Sequence, residues 1–105
     1  MTRVARAQVL ALVAKWQARL LLDTWKIQVT LTSKLGHLAE CEASPEYLEA
    51  VLRFNPVRLT PENLEETVVH ELIHCHTWEL WDHAGDAGDK AHERLTSTLQ
   101  RIVMR

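Results

Sequence analysis

Val68-Val69-His70-Glu71-Leu72-Ile73-His74 is the stretch on which the fold turns. At about 100° per residue, Leu64, Val68, Leu72 and Cys75 form one apolar stripe, which Val69 and Ile73 widen. A helix that is apolar over most of its circumference belongs inside a domain. His70 and His74 stand one turn apart on the side opposite Leu72, with Thr67 and Trp81, so both imidazoles are expected to face an interior cleft. The start of this helix is written just upstream. Thr60 suits the N-cap, Pro61 suits the first helical position, where a missing N–H costs nothing, and Glu62, Glu65 and Glu66 lie near the positive end of the helix dipole.

Working outward, the helix is expected to run to about Trp81, and Asp82 to Asp89, with Gly85 and Gly88, to form a loop. A last helix follows from Lys90 to Met104, with Leu95, Leu99 and Ile102 on its apolar side. Upstream, Asn55-Pro56 ends a strand from Tyr47 to Phe54, in which Leu48, Ala50, Leu52 and Phe54 point inward and Glu49 and Arg53 outward. Before it, Leu38 to Ala43 alternates small residues (Ala39, Cys41, Ala43) with Glu40 and Glu42, and Ser44-Pro45-Glu46 turns the chain. Trp25, Ile27, Val29 and Leu31 alternate with Lys26, Gln28 and Thr30 in a further strand, followed by a loop at Lys34-Leu35-Gly36-His37. Residues 3–22 read as an amphipathic helix carrying Val9, Leu12, Val13, Trp16 and Leu20. The fold class is therefore α+β: a helix, a three-stranded, mainly antiparallel sheet expected to be a meander because its connections are short, then two helices on one side of it.

The totals agree with one domain spanning residues 1–105. Repeats and low-complexity segments are absent. With a net charge of −2 and basic residues interspersed with acids, nothing points to a nucleic-acid partner; Arg3, Arg6, Lys15 and Arg19 read as the solvated side of the first helix. Cys41 and Cys75 are too few for a disulfide framework and read as reduced core residues, which suits a cytoplasmic location. The apolar run Val9 to Ala14 is short for a signal peptide, and Trp16-Gln17-Ala18-Arg19 continues the helical period in place of a cleavage site. No run approaches the ~20 apolar residues of a membrane span.

Two imidazoles one turn apart with a carboxylate beside the first make the H-E-x-x-H pattern. The chemistry follows from the residue types. Neutral His70 and His74 offer nitrogen ligands to one Zn²⁺, a coordination position stays open for water, and Glu71 is the candidate general base. A third protein ligand is needed. His76 and Glu79 point away from the His70–His74 face, whereas His83 begins the following loop and stays a candidate. On the last helix, the apolar face with Leu95 and Leu99 favours His92, while loop spacing favours Glu93, whose long side chain can compensate for a rotated face. Asp82, Asp86 and Asp89 are candidates to orient a ligating imidazole or, more simply, to cap the last helix. Trp78 and Trp81 are candidate cleft walls, and Tyr47, His76, His83 or the unused member of the His92–Glu93 pair are candidates to stabilise an oxyanion.

His70-Glu71-Leu72-Ile73-His74, followed after eighteen intervening residues by Glu93, resembles the gluzincin pattern, in which a second helix supplies a glutamate ligand. With Trp25-Lys26-Ile27-Gln28-Val29, Tyr47 to Leu52 and Glu66 to His74, most of the chain resembles the small single-domain metallopeptidases called minigluzincins. The resemblance implies His70, His74 and Glu93 on zinc, Glu71 as general base, and a peptide substrate extended along an edge strand. This chain departs from the N-E-x-x-S-D pattern common on the gluzincin ligand helix, having Ala91-His92-Glu93-Arg94-Leu95-Thr96-Ser97 in that region. Through His92 it is also similar to the SprT-like group. Glu40-Cys41-Glu42-Ala43-Ser44 is faintly similar to the cysteine segment of peptide deformylases, without its glycine. A non-catalytic zinc-binding or interaction module is the alternative from another class, and Glu71 discriminates, since a closed structural site has no use for a base.

Overall fold

Strict alternation in three short stretches builds a sheet with one apolar and one polar face. The computed structural model describes the backbone of residues 4–84 and 88–105 and the side chains of residues 4–78 and 92–105. In chain order the elements are α1 (Arg6–Arg19), β1 (Lys26–Leu31), β2 (Ala39–Ser44), a 3-10 turn (Pro45–Tyr47), β3 (Glu49–Phe54), α2 (Pro61–Ala84) and α3 (Gly88–Val103). This is the expected α+β order. The register stacks Ile27, Ala50 and Ala43 in one row, Val29, Leu52 and Cys41 in the next, and Leu31, Phe54 and Ala39 in the third. These rows form the face that joins the helices in the core. The opposite face carries Lys26, Gln28, Glu42, Glu49 and Arg53, with Arg53 3.7 Å from Glu42 and 4.0 Å from Glu40.

The strand order corrects the expected meander. It is β1-β3-β2, with β1 parallel to β3 and β2 antiparallel to it, so the sheet is mixed. Connection length did not decide this, because the seven residues from Thr32 to Leu38 can reach well beyond two strand spacings of about 4.8 Å each. Burial decided it. Ala50, Leu52 and Phe54 are all buried, so β3 takes the centre, where both edges are paired, while β2, with Glu40 and Glu42, takes an edge. The strand expected from Tyr47 starts only at Glu49: Tyr47 closes the 3-10 turn, and Leu48 takes a left-handed conformation (φ 53°) that reverses the chain.

Asn55 secures the crossover loop. Fully buried after β3, it donates from Nδ2 to the Leu35 carbonyl at 2.9 Å, and its backbone N–H donates to Leu38 at 2.8 Å. The loop bearing His37 and Leu38 is thereby held at the mouth of the cleft described below.

Thr60 caps α2 as expected, through a reciprocal pair: Asn63 N–H donates to Thr60 Oγ1 at 3.2 Å and Thr60 N–H to Asn63 Oδ1 at 2.8 Å. Leu64, Val68, Val69, Leu72, Ile73 and Cys75 are buried along the helix, which runs on to Ala84, past the expected end at Trp81. Helix α3 correspondingly begins at Gly88, before the expected Lys90. On the other flank, α1 buries Val9, Val13 and Trp16. Among the described residues, no helix is long and apolar enough to cross a membrane.

Candidate metal centre

One turn of α2 places His70, Glu71 and His74 on the wall of a cleft of about 720 Å³, closed on one side by Leu38 to Cys41 at the β2 edge and on the other by His92, Glu93 and Gln100 of α3. The helical wheel of the sequence accounts for the first wall. Packing of α3 across α2 supplies the second.

Glu93 is the meeting point. Its two carboxylate oxygens lie 3.2 Å from His70 Nε2 and 3.2 Å from His74 Nε2, so two imidazole nitrogens and a carboxylate converge on one spot. The side chain of His74 is 8% exposed, that of His70 20%, and that of Glu93 60%; the glutamate reaches the spot from the outer side of α3. His92 is buried instead, as the wheel predicted, and its Nε2 lies 3.1 Å from His74 Nδ1 and in short contact with the Thr77 hydroxyl. The two residues that the sequence left in competition therefore address opposite edges of the His74 ring. On His70, the Nδ1 edge meets Gln100 Oε1 at 2.9 Å. Gln100 escaped the reading of the sequence because a glutamine two turns beyond Glu93 carries no motif signal; only the α2–α3 crossing brings it to His70.

Among the described residues, two groups have donor atoms close enough to hold a metal ion, His70–Glu71–His74 and His74–His92–Glu93. The donor chemistry fits a divalent cation of the zinc type, for which imidazole nitrogen and carboxylate oxygen are ordinary ligands. Burial, then the neighbouring His70 and His92, push His74 down to about 3, so at neutral pH its ring is uncharged and keeps a lone pair for a ligand. Glu71 is pushed the other way, up to about 8, first by burial and then by the charges of Glu93 and Glu40. A divalent cation beside it would oppose that shift and favour the carboxylate.

His76 donates from Nε2 to the Leu20 carbonyl at 2.7 Å, a packing role at the end of α1. Trp78 lines the cleft, whereas Tyr47 is 72% exposed and does not. Cys41 lines the cleft but belongs to neither metal-capable group; its thiol is pushed up by the contact with Cys75 and by burial, and both cysteines are free. The side chains of Glu79, Trp81, Asp82, His83 and Asp89, and Asp86 as a whole, lie outside the described residues.

Compared with known proteins, the chain matches no family model, no curated protein and no solved structure.

Proposed function

We propose that this chain is a small zinc-dependent metallopeptidase of the minigluzincin kind, with His70, His74 and Glu93 as ligands of one Zn²⁺ and Glu71 as general base. The observation that carries the reading is the Glu93 carboxylate set 3.2 Å from the cleft-side nitrogen of both histidines. His92 is assigned no ligand role, although it forms a metal-capable group with His74 and Glu93, because its Nε2 approaches His74 at Nδ1, whereas Glu93 lies 3.2 Å from the Nε2 of both motif histidines. Bound zinc supplies a Lewis acid that acidifies water and polarises a carbonyl. Glu71, buried beside the two imidazoles, takes a proton from the attacking water and returns it to the departing amine. The peptide lies extended along β2, an edge strand that lines the cleft through Ala39, Glu40 and Cys41. The reading involves no nucleic acid and no membrane, and places the protein in the cytoplasm.

The test measures zinc stoichiometry and hydrolysis of an unstructured peptide mixture by mass spectrometry, for wild type and Glu71→Gln. Near one zinc in both proteins, with peptide cleavage falling about 10²–10⁴-fold in the variant, is the expected result. Zinc bound by a wild type that cleaves nothing would assign the site to a non-catalytic module, and a wild type that binds no zinc would end both readings.

A further inference from the structure

The two imidazoles each have a second ring nitrogen, and a residue of α3 stands at each. His70 Nδ1 meets Gln100 Oε1, and His74 Nδ1 meets His92 Nε2. Gln100 follows Glu93 by seven residues, about two helical turns, and His92 stands next to Glu93 on the buried side, so α3 carries both contacts. A neutral imidazole has one ring proton, and a metal on Nε2 requires that proton to be on Nδ1.

We propose that Gln100 and His92 are positioning residues that hold the Nδ1 protons of His70 and His74, turn both Nε2 lone pairs towards Glu93, and thereby set the affinity of the site for its metal. Gln100 Oε1 is an acceptor only, so it selects the Nδ1–H form of His70. His92 Nε2 accepts from His74 Nδ1–H, which leaves the His92 ring proton on its own Nδ1. Behind it, the buried Thr77 hydroxyl contacts His92 Nε2 and lies 3.5 Å from the hydroxyl of Thr96, itself fully buried. The Thr77 hydroxyl donates to the Ile73 carbonyl at 3.4 Å, which leaves the His92 Nε2 lone pair to the His74 ring proton. Without these partners either ring is free to carry its proton on Nε2, where it points at Glu93 and competes with an ion. The inference rests on the metal site proposed above, and the experiment separates the two.

Zinc affinity is measured by competition with a chromophoric chelator, on the whole chain. Gln100→Leu, which keeps the bulk and removes the acceptor, and His92→Phe should each bind zinc about 10–100-fold more weakly. Gln100→Glu and His92→Gln, which restore an acceptor at the same reach, should return affinity close to the wild-type value. The spectroscopic signature is selective: in zinc-loaded wild type, proton NMR should show two slowly exchanging imidazole N–H resonances, and Gln100→Leu should remove that of His70 alone. Should His92→Phe fail to fold, the half-buried Gln100 pair and this signature decide. Equal affinity in wild type and the Leu variant, no recovery in Gln100→Glu, or a metal-ligated ring nitrogen on His92 would overturn the inference while leaving the metal site standing. A wild type without zinc affinity would remove the site itself.

Discussion

Where α1 meets α2 the contact is apolar with a polar clasp at its rim, whereas where α3 meets α2 it is polar through its centre. On the first side Val9, Val13 and Trp16 are buried, and Glu65 accepts from both Trp16 Nε1 and Lys15 Nζ at 2.8 Å. On the second side the buried residues of α3, among those described, are His92 and Thr96, Leu99 is half-buried, and Ile102 is 56% exposed. Apolar burial is strong and non-directional; hydrogen bonds contribute less net stability but fix orientation. The α1 seam therefore holds the domain together, and the α3 seam aims side chains at the cleft.

The largest expected effect tests that division of labour. Trp16→Ala should destabilise the whole domain by about 3–5 kcal/mol in chemical denaturation, the usual range for removing a buried aromatic. Leu99→Ala on α3 should cost well under half of that and leave the exchange protection of the β3 amides intact; equal losses on both sides would erase the contrast.

Next in size is the effect of the buried acid. Between pH 4.5, the ordinary value for Glu71, and about 8, its value in the folded protein, the folded state holds a proton that the unfolded chain has released. Stability of the metal-free protein therefore falls as pH rises through that window. Glu71→Gln should remove this contribution and be more stable than wild type at pH 8, by about 3–4 kcal/mol, with little difference at pH 4.5. A variant less stable than wild type at pH 8 would show that the carboxylate is ionised and satisfied without a cation.

The smallest of the three effects sharpens the comparison from the ligand side. Zinc held by His70 and His74 of α2 and Glu93 of α3 would cross-link the polar seam. At a free concentration 100-fold above its dissociation constant it should raise stability by about 2.7 kcal/mol. Hydrogen exchange should register that gain in α3, where few of the described apolar side chains are buried, and uniform protection of α1 and α3 would argue against a cross-link at this seam.

Much of this was legible in the chain. The alternation of Ile27, Val29 and Leu31, and of Ala50, Leu52 and Phe54, named the inner sheet face because side-chain direction repeats every two residues along a strand. Thr60, Pro61 and the helical period likewise located α2 and the face bearing His70 and His74. The meander failed because short connections bear only on which strands neighbour in sequence, and the seven-residue loop leaves more than one neighbour within reach. On α3, the wheel rightly set His92 on the apolar side, yet that placement said nothing of which residue faces the cleft-side nitrogens, since a glutamate side chain reaches back over its helix.

Local periodicity and capping are properties of neighbouring residues, so the sequence by itself determined the helices, the strands, the apolar sheet face and the histidine pair with its glutamate. The strand order, the convergence of Glu93 on both imidazoles and the pairing of Gln100 with His70 were decided only by tertiary structure. Each depends on how elements distant in the chain cross, and that crossing is set by summed burial across the domain, which no single segment encodes.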